Sequence, residues 1–228
     1  MKIGVAVPCY YGHIQRLYDL LDSIEKQTIL PDKVVVSTSS TSKFSLNKTY
    51  SFPLEVIVTE DKQNASKNRN IAASKLNDMD YITFIDADDI MHPQRIEMLL
   101  YAFKTYNSDI ILHNYINEMP IFSPNIFQNI LNINIRTNTL IQSASGCITH
   151  IDGYNDTIDK IHHSQVTIKT EIFTQVKFPE EDIYNRKEDC VFCYRVFSLP
   201  NIKHAYIQNE LSYYKPSNCF FIKAPQKP

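Results

Sequence analysis

Tyr81-Ile82-Thr83-Phe84-Ile85-Asp86-Ala87-Asp88-Asp89 reads as a buried strand that ends in acid. The apolar run Tyr81 to Ile85 is short enough for a strand rather than a helix. Three carboxylates follow at its carboxyl end, where the chain leaves the sheet, and open α/β sheets bind their ligands at that end. Asp86 and Asp88 flank one residue of extended chain, so both can share one ion. A pair of oxygen donors suits Mn2+ or Mg2+, hard cations that leave room for a ligand's phosphates. The triplet alone also reads as a solvated acidic turn capping the helix that starts near Pro93. The flanking sequence has to separate the two.

Upstream, Ile3-Gly4-Val5-Ala6-Val7 is an apolar strand ending at Pro8, followed by Ile14, Leu17, Leu21 and Ile24 at helical spacing. Val34-Val35-Val36 is a second strand, ending in the polar run Ser37-Thr38-Ser39-Ser40, and Leu54 to Val58 is a third. Asn64 can cap a helix carrying Ile71, Ala72 and Leu76. Downstream, Pro93 opens a helix with Ile96, Leu99, Leu100 and Phe103 inward, and Asp109 to Leu112 is a fifth strand. Strand and helix alternate, so the fold class is α/β with right-handed crossovers, a mostly parallel central sheet and helices on both faces.

The second half is less regular. Ser123-Pro124 starts a short helix with Ile126, Phe127, Ile130 and Leu131 on one stripe, read as core packing. Cys147 to Ile151 and Gln165 to Lys169 are strand candidates. Glu188 to Leu199 is a helix, and Lys203 to Gln208 and Leu211 to Lys215 are closing strands. Glu188 and Asp189 in a first turn favour the helix dipole, which explains both without any function.

Composition excludes several classes. A net charge of −2 leaves no footprint for nucleic acid or an anionic membrane. With only 4 glycines there is no Gly-rich phosphate loop, so phosphate binding needs a metal or basic side chains. No stretch is long and apolar enough to span a bilayer, and the N-terminus lacks a signal peptide's shape. The first strand opens at Ile3, so no targeting segment is expected before the fold. Five cysteines without a secreted spacing fit a reducing cytoplasm. Cys190 and Cys193 lie in an apolar helix and read as buried thiols rather than zinc ligands.

The ordered set resembles the GT-A fold glycosyltransferases, specifically the large inverting group called family 2. The pieces are Val5 to Tyr10, the helix with Leu20, Leu21, Ser23, Ile24 and Gln27, then Ala65 to Ala72, Phe84 to Asp89, and Lys187-Glu188-Asp189 opening a helix with Arg195. They span about residues 1–200. The resemblance implies one catalytic domain over 1–222, with 1–115 as the nucleotide-binding half and 116–222 as the acceptor-binding half. Residues 223–228 have linker composition, as expected where a domain meets the rest of a longer chain.

The resemblance also implies roles. Pro8 and Tyr10 stand where the family contacts the base. Asp86 and Asp88, with Ala87 between them, match the pair that holds the metal, Mn2+ or Mg2+, and the ribose or diphosphate. Arg69 and Asn70 lie beside the nucleotide. Asp189, or Glu188 next to it, matches the catalytic base, and Lys215 the basic residue that meets the diphosphate. Ser37 stands where the family carries acidic residues, and Lys215-Pro216-Ser217 departs from its Arg-and-His pattern. The implied donor is a nucleotide-diphosphate sugar (a UDP-sugar first, GDP or dTDP next), and the acceptor is a glycan or glycoconjugate.

His113, His162 and His163 read as ordinary loop or core histidines. Tyr154, Tyr184, Tyr213 and Tyr214 can stack on sugars or simply edge a sheet. Two alternatives stand beside the transferase reading. One is a sugar-nucleotide nucleotidyltransferase, which would want a Gly-rich basic loop where Pro8 to His13 stands. The other is a silent nucleotide-sugar- or glycan-binding module.

Overall fold

β1 (Ile3–Tyr10) runs two residues past the proline expected to end it. The Ala6 carbonyl accepts from Ile85 N, so alternation aims Pro8 toward the same neighbour, beyond the last pair Ala6–Phe84. The missing proline N–H therefore costs the ladder nothing. The structure is a computed structural model that describes residues 1–116, 127–137, 141–142, 148–149, 166–184 and 187–214.

The elements after β1 are α1 (Ile14–Glu25), β2 (Lys33–Ser39), β3 (Leu54–Val58), α2 (Ala65–Ser74), β4 (Tyr81–Phe84), β5 (Ile90–Met91), α3 (Arg95–Tyr106) and β6 (Ile110–Ile116). Then come β7 (Ile135–Thr137), β8 (Ile141–Gln142), β9 (Ile148–Thr149), β10 (Val166–Lys169), α4 (Thr170–Gln175), α5 (Glu188–Phe197) and β11 (His204–Tyr213). The main sheet runs β3-β2-β1-β4-β10-β6-β11-β5, with β7 also on β11. β1, β2, β3, β4, β6 and β11 are mutually parallel. β10 is antiparallel to both neighbours, and β5 and β7 are antiparallel to β11. The expected α/β class with a mostly parallel sheet holds.

Helices cover both faces. Leu17, Leu21 and Ile24 of α1 and Ile96, Leu99 and Phe103 of α3 pack with Val5, Val7, Val34 and Val36 on one face. Ala72 and Ala73 of α2, Phe173 of α4 and Phe192 and Val196 of α5 pack with Ala6, Val35, Ile82 and Phe84 on the other. Continuous apolar strands are what burial on both faces requires. The Asn64 side chain accepts from Lys67 N at 2.9 Å, as expected of the α2 cap.

Three expectations need correction. Residues 127–132 form no helix and lie as an irregular segment over the sheet edge. The two closing strands are one strand, β11, bent by register shifts between Ile207 and Glu210 and again before Ser212. The acidic triplet does not cap α3. β5 intervenes, and the residue before the helix, Gln94, makes no side-chain cap. The rest of the 123–131 stripe and most of the Cys147–Ile151 strand lie outside the described residues, β9 apart.

His92 pins the irregular segment. Its Nδ1 accepts from Gln94 N at 2.9 Å, so Nε2 carries the proton toward the Gln128 carbonyl at 3.0 Å. Burial lowers its pKa, while the Gln128 carbonyl opposes the shift.

Two outcomes follow from this packing. A Cβ on Gly4 would lie 2.7 Å from Leu76 Cδ2 and 2.9 Å from Met79 Cγ, and Leu76 is fully buried. Gly4→Ala should cost about 1–3 kcal/mol through overpacking, read as a lower denaturant midpoint at unchanged slope. His92 contributes stability that is complete above the ordinary histidine pKa of about 6.5 and is lost as pH falls through its lowered folded value. Stability of a His92→Phe variant should vary less than that of the native chain between about pH 7 and pH 5.

Candidate active site

β4 delivers Asp86, Ala87 and Asp88 to the carboxyl edge of the sheet, beside the end of β1. Ala87 is fully buried and anchors the turn. The carboxylates on either side keep modest exposure, 22% for the Asp86 side chain and 12% for Asp88. Asp89 is buried. The chain just beyond is fixed from α1. Ser23 Oγ accepts from Met91 N at 3.0 Å, Gln27 Nε2 donates to the His92 carbonyl at 2.6 Å, and Gln27 Oε1 accepts from Ile96 N at 3.1 Å. Ser23 of α1 and Gln27, just past its end, are both among the positions singled out in the sequence.

Arg69 is the centre of the site. It leaves α2 fully buried and donates through Nη2 to Asp86 Oδ1 at 3.2 Å and through Nη1 to Glu188 Oε1 at 3.0 Å. Burial alone would push its pKa down, but the charges of Asp86 and Glu188 more than offset this and hold it above the ordinary value. The guanidinium lies 5.4 Å from the centre of the Phe178 ring, which stacks on Phe192 of α5 at 4.1 Å. One cation thus joins the end of β4 to the first turn of α5.

Asp189 lies next to Glu188 on the same turn. Its Oδ1 accepts from Cys190 N at 2.7 Å. Asp189 adds to the field on Arg69 and on Cys193, whose thiol is pushed up mainly by burial.

Asp88 faces the other way, toward the turn after β1. His13 Nδ1 is 3.5 Å from Asp88 Oδ1. Burial pushes the Asp88 carboxyl up, the negative charge of Asp86 adds to this, and His13 and Arg16 oppose it. Tyr10 sets its ring edge-on to His13 at 6.2 Å. Cys9, beneath, is a buried thiol pushed up by burial and then by Asp88 and Asp86. On the remaining side Tyr214 is pushed up to about 12 by burial and by Asp89, Asp88 and Asp86. It stays protonated, a hydrogen-bond donor against an acidic cleft.

The structure therefore brings Asp86, Asp88, Arg69, Glu188, Asp189 and Tyr10 to one end of the sheet. Other expected residues sit differently. Pro8 is buried within β1. Ser37 is fully buried and donates to Asn68 Oδ1 at 3.0 Å, while Asn68 donates on to Ser39. Asn70 Nδ2 donates to the Phe178 carbonyl and to Glu180 Oε1, both at 2.9 Å, so it clamps the chain before α5. His113 is buried in β6. Lys215, His162, His163 and Tyr154 lie outside the described residues.

Sequence reasoning assigned no role to His13 or Arg95, and named Tyr214 only as a tyrosine that can stack on a sugar or edge a sheet. Arg95 is fully buried under the triplet and donates to Thr83 Oγ1 at 2.7 Å and the Phe84 carbonyl at 2.8 Å. Burial lowers its pKa to about 9 against the opposing charge of Asp89. The available signals were position in the turn after β1 for His13 and an arginine on the inward stripe of α3 for Arg95.

A hard divalent cation fits these residues. Asp86 and Asp88 offer oxygen only, and their mutual repulsion, visible in the raised Asp88, is relieved by a cation between them. Among the described residues no group of three or more His, Cys, Asp or Glu side chains forms a closed cage.

Comparison with known proteins gives the class first. Over 95% of its length the chain superposes on Staphylococcus aureus TarS 1-349 in complex with UDP, with a TM-score of 0.67 at 20% identity. The same protein in complex with UDP-GlcNAc gives 0.67 at 18% identity over 95% of the chain. The fold is thus the GT-A fold seen in those transferases. The sequence model of glycosyl transferase family 2 matches residues 4–160. The chain belongs to glycosyl transferase family 2, a family of enzymes. An uncharacterized glycosyltransferase of Haemophilus influenzae is 29% identical over 113 residues, 49% of this chain. The chain spans 38% of that protein's length and 61% of TarS 1-349.

Removing the central cation should expose its role. Arg69→Met removes the buried guanidinium that Asp86 and Glu188 share and should cost about 3–5 kcal/mol. Arg69→Lys keeps the charge but loses the two-armed fork and should recover only part of it. Chemical unfolding of the two variants checks both.

Proposed function

We propose that this domain is a metal-dependent inverting glycosyltransferase that moves a sugar from a nucleoside-diphosphate sugar, a UDP-sugar first, to an acceptor hydroxyl on a glycan or glycoconjugate. The observation that carries this is the Asp86–Arg69–Glu188 chain, which sets the acidic end of β4 opposite the first turn of α5. TarS, the structural neighbour, has been solved with UDP and UDP-GlcNAc, which supports a UDP-sugar here. The buried free thiols Cys9, Cys190 and Cys193 suit a reducing compartment and support a cytoplasmic location. Among the described residues no helix is long and apolar enough to cross a membrane.

In this reading Asp86 and Asp88 hold Mn2+ or Mg2+, which supplies Lewis-acid stabilisation of the leaving diphosphate. The acceptor oxygen bonds to the anomeric carbon as the carbon–oxygen bond to the diphosphate breaks on the opposite side, so the centre inverts. The acceptor proton goes to a carboxylate. Asp189 suits that task better than Glu188. Glu188 is ion-paired with a buried guanidinium, which stabilises its ionised form and weakens it as a base. The resemblance to family 2 assigns the task to Asp189, whose Oδ1 accepts from Cys190 N at 2.7 Å. Arg69 holds Asp86 in place, Tyr10 borders the base, and Tyr214 offers a hydroxyl to the same cleft.

The test is release of nucleoside diphosphate from UDP-GlcNAc, UDP-glucose and GDP-mannose, with Mn2+ or with chelator. UDP release that requires the cation is expected. Asp88→Asn should lower it by about 10²-fold or more. Asp189→Asn should leave donor affinity within about twofold and lower transfer to an acceptor by about 10²-fold. Formation of nucleoside triphosphate and sugar 1-phosphate when pyrophosphate is added would mark a nucleotidyltransferase, and binding without turnover a silent module; either overturns the reading.

A further inference from the structure

A cavity of about 570 Å3 opens at the edge of the sheet, lined by Phe127, Gln128, Asn129, Asn132, Asn209 and Glu210 among others. Its origin is the bend in β11. β7 pairs with β11 over Ala205–Ile207, and β5 pairs with it over Ser212–Tyr213. The bulged stretch between them has no strand on that side among the described residues. The irregular segment crosses the gap. Gln208 N donates to the Asn134 carbonyl at 2.8 Å, Asn209 Oδ1 accepts from Asn134 N at 2.7 Å, and Asn209 Nδ2 donates to the Asn132 carbonyl at 3.2 Å. His92 holds the other end through Gln128. The cavity is a braced feature of the fold, within the size range of ligand pockets, about 300–1,000 Å3.

Its lining selects a ligand chemistry. Carboxamides and a carboxylate dominate, and no lysine or arginine is among the described lining residues. Such a wall repels phosphate, so it does not suit a nucleotide, and it is too polar for an acyl chain. Vicinal hydroxyls, each donor and acceptor at once, match side-chain amides that present C=O and NH2 side by side, and match the paired oxygens of Glu210. Phe127, tilted against His92 at 4.7 Å, adds a ring for the apolar face of a pyranose. Leu131 stands 90% exposed in the lining.

Its place connects it with the cleft. Ile116 lines the cavity, and its carbonyl accepts from Tyr214 N at 2.8 Å. Tyr214 in turn feels the charges of Asp86, Asp88 and Asp89, and its ring meets that of Tyr115 edge-on at 6.0 Å. From Glu210 to Tyr214 an extended chain covers about 13 Å, a distance that a few linked sugars bridge.

We propose that this cavity is a second carbohydrate site, which holds an uncharged stretch of an oligosaccharide acceptor while its terminal hydroxyl reaches the Asp86–Asp88 cleft. Binding of sugar stands on the cavity alone. The acceptor role rests on the transferase reading.

Titration of the isotope-labelled full chain with chitotriose, cellotriose, maltotriose and mannotriose, followed by NMR, tests it. At least one trisaccharide should shift the side-chain amide signals of Asn129 and Asn132 saturably in the millimolar range. Asn129→Ala with Asn132→Ala, and separately the isosteric Glu210→Gln, should each weaken that binding by about tenfold or more, as expected for loss of one to two hydrogen bonds. Unfolding midpoints of the variants confirm that the fold is kept. UDP release from the donor in water should be unchanged in them, because water replaces the acceptor. Absence of any shift at tens of millimolar sugar, or equal binding by the variants, overturns the site. If variant-sensitive sugar binding is found but no chain releases UDP, the cavity stands and the transferase reading falls. If UDP is released but no trisaccharide binds, the cavity falls alone.

Discussion

A guanidinium taken wholly out of water is the constraint around which this domain is arranged. Several kcal/mol of desolvation act against it, and good geometry to opposite charges has to offset them. Arg69 meets that condition with one arm on Asp86 and the other on Glu188, over an aromatic floor of Phe178 and Phe192. The consequence is positional. α2, the end of β4 and the start of α5 cannot shift independently without stranding a buried charge. Asn64 and Asn70 reinforce this from the neighbouring turns of α2. They hold the Glu180 and Phe178 carbonyls at 2.7 and 2.9 Å, so the chain entering α5 is clamped before it arrives.

The sheet supplies the second half of that precision. β10 returns from late in the chain to lie between β4 and β6, antiparallel to both. Thr167 and Thr83 share a hydroxyl bond at 2.8 Å across that insertion, and Arg95 donates to the same Thr83 from α3. β4 is therefore held by its neighbours on both edges and by a buried cation, just before it releases the acidic triplet. A functional constellation placed on rigid elements keeps its geometry better than one carried on loops.

The first half of this arrangement was legible because burial on both faces writes itself as uninterrupted Val and Ile runs, and the helices between show inward stripes. The acidic triplet was legible because acid directly after such a run has no packing role. Other features left no mark. The apolar run Val166-Thr167-Ile168 states a strand but not its direction, so the antiparallel insertion could not be read. Asn209-Glu210 looked like a break between two strands and is a bulge within one. Phe127, Ile130 and Leu131 have helical spacing, yet Ile130 packs on the core while Leu131 is 90% exposed in irregular chain. Arg69 was named as a neighbour of the nucleotide, but its bond to Glu188 spans 119 residues, and no local spacing encodes such a pair. Ser37 looked available for a base and is tied to Asn68 instead.

Charge balance at the sheet's edge links these features to chemistry. Asp86, Asp88, Asp89, Glu188 and Asp189 gather there against Arg16, Arg69 and Arg95, with His13 beside Asp88. Arg69 and Arg95 are fully buried in the fold itself, Arg69 between Asp86 and Glu188 and Arg95 against Thr83 and the Phe84 carbonyl, so neither is turned toward a ligand. Carboxylates are thus concentrated at this edge among the described residues, where Coulomb energies in a partly buried site reach several kcal/mol. In the proposed reading a divalent cation held at this edge would bring with it the diphosphate that it carries. With Arg69 and Arg95 turned inward, the donor in the proposed reading arrives with its ion, while the cavity beyond Tyr214, lined by carboxamides and Glu210, is left for the acceptor.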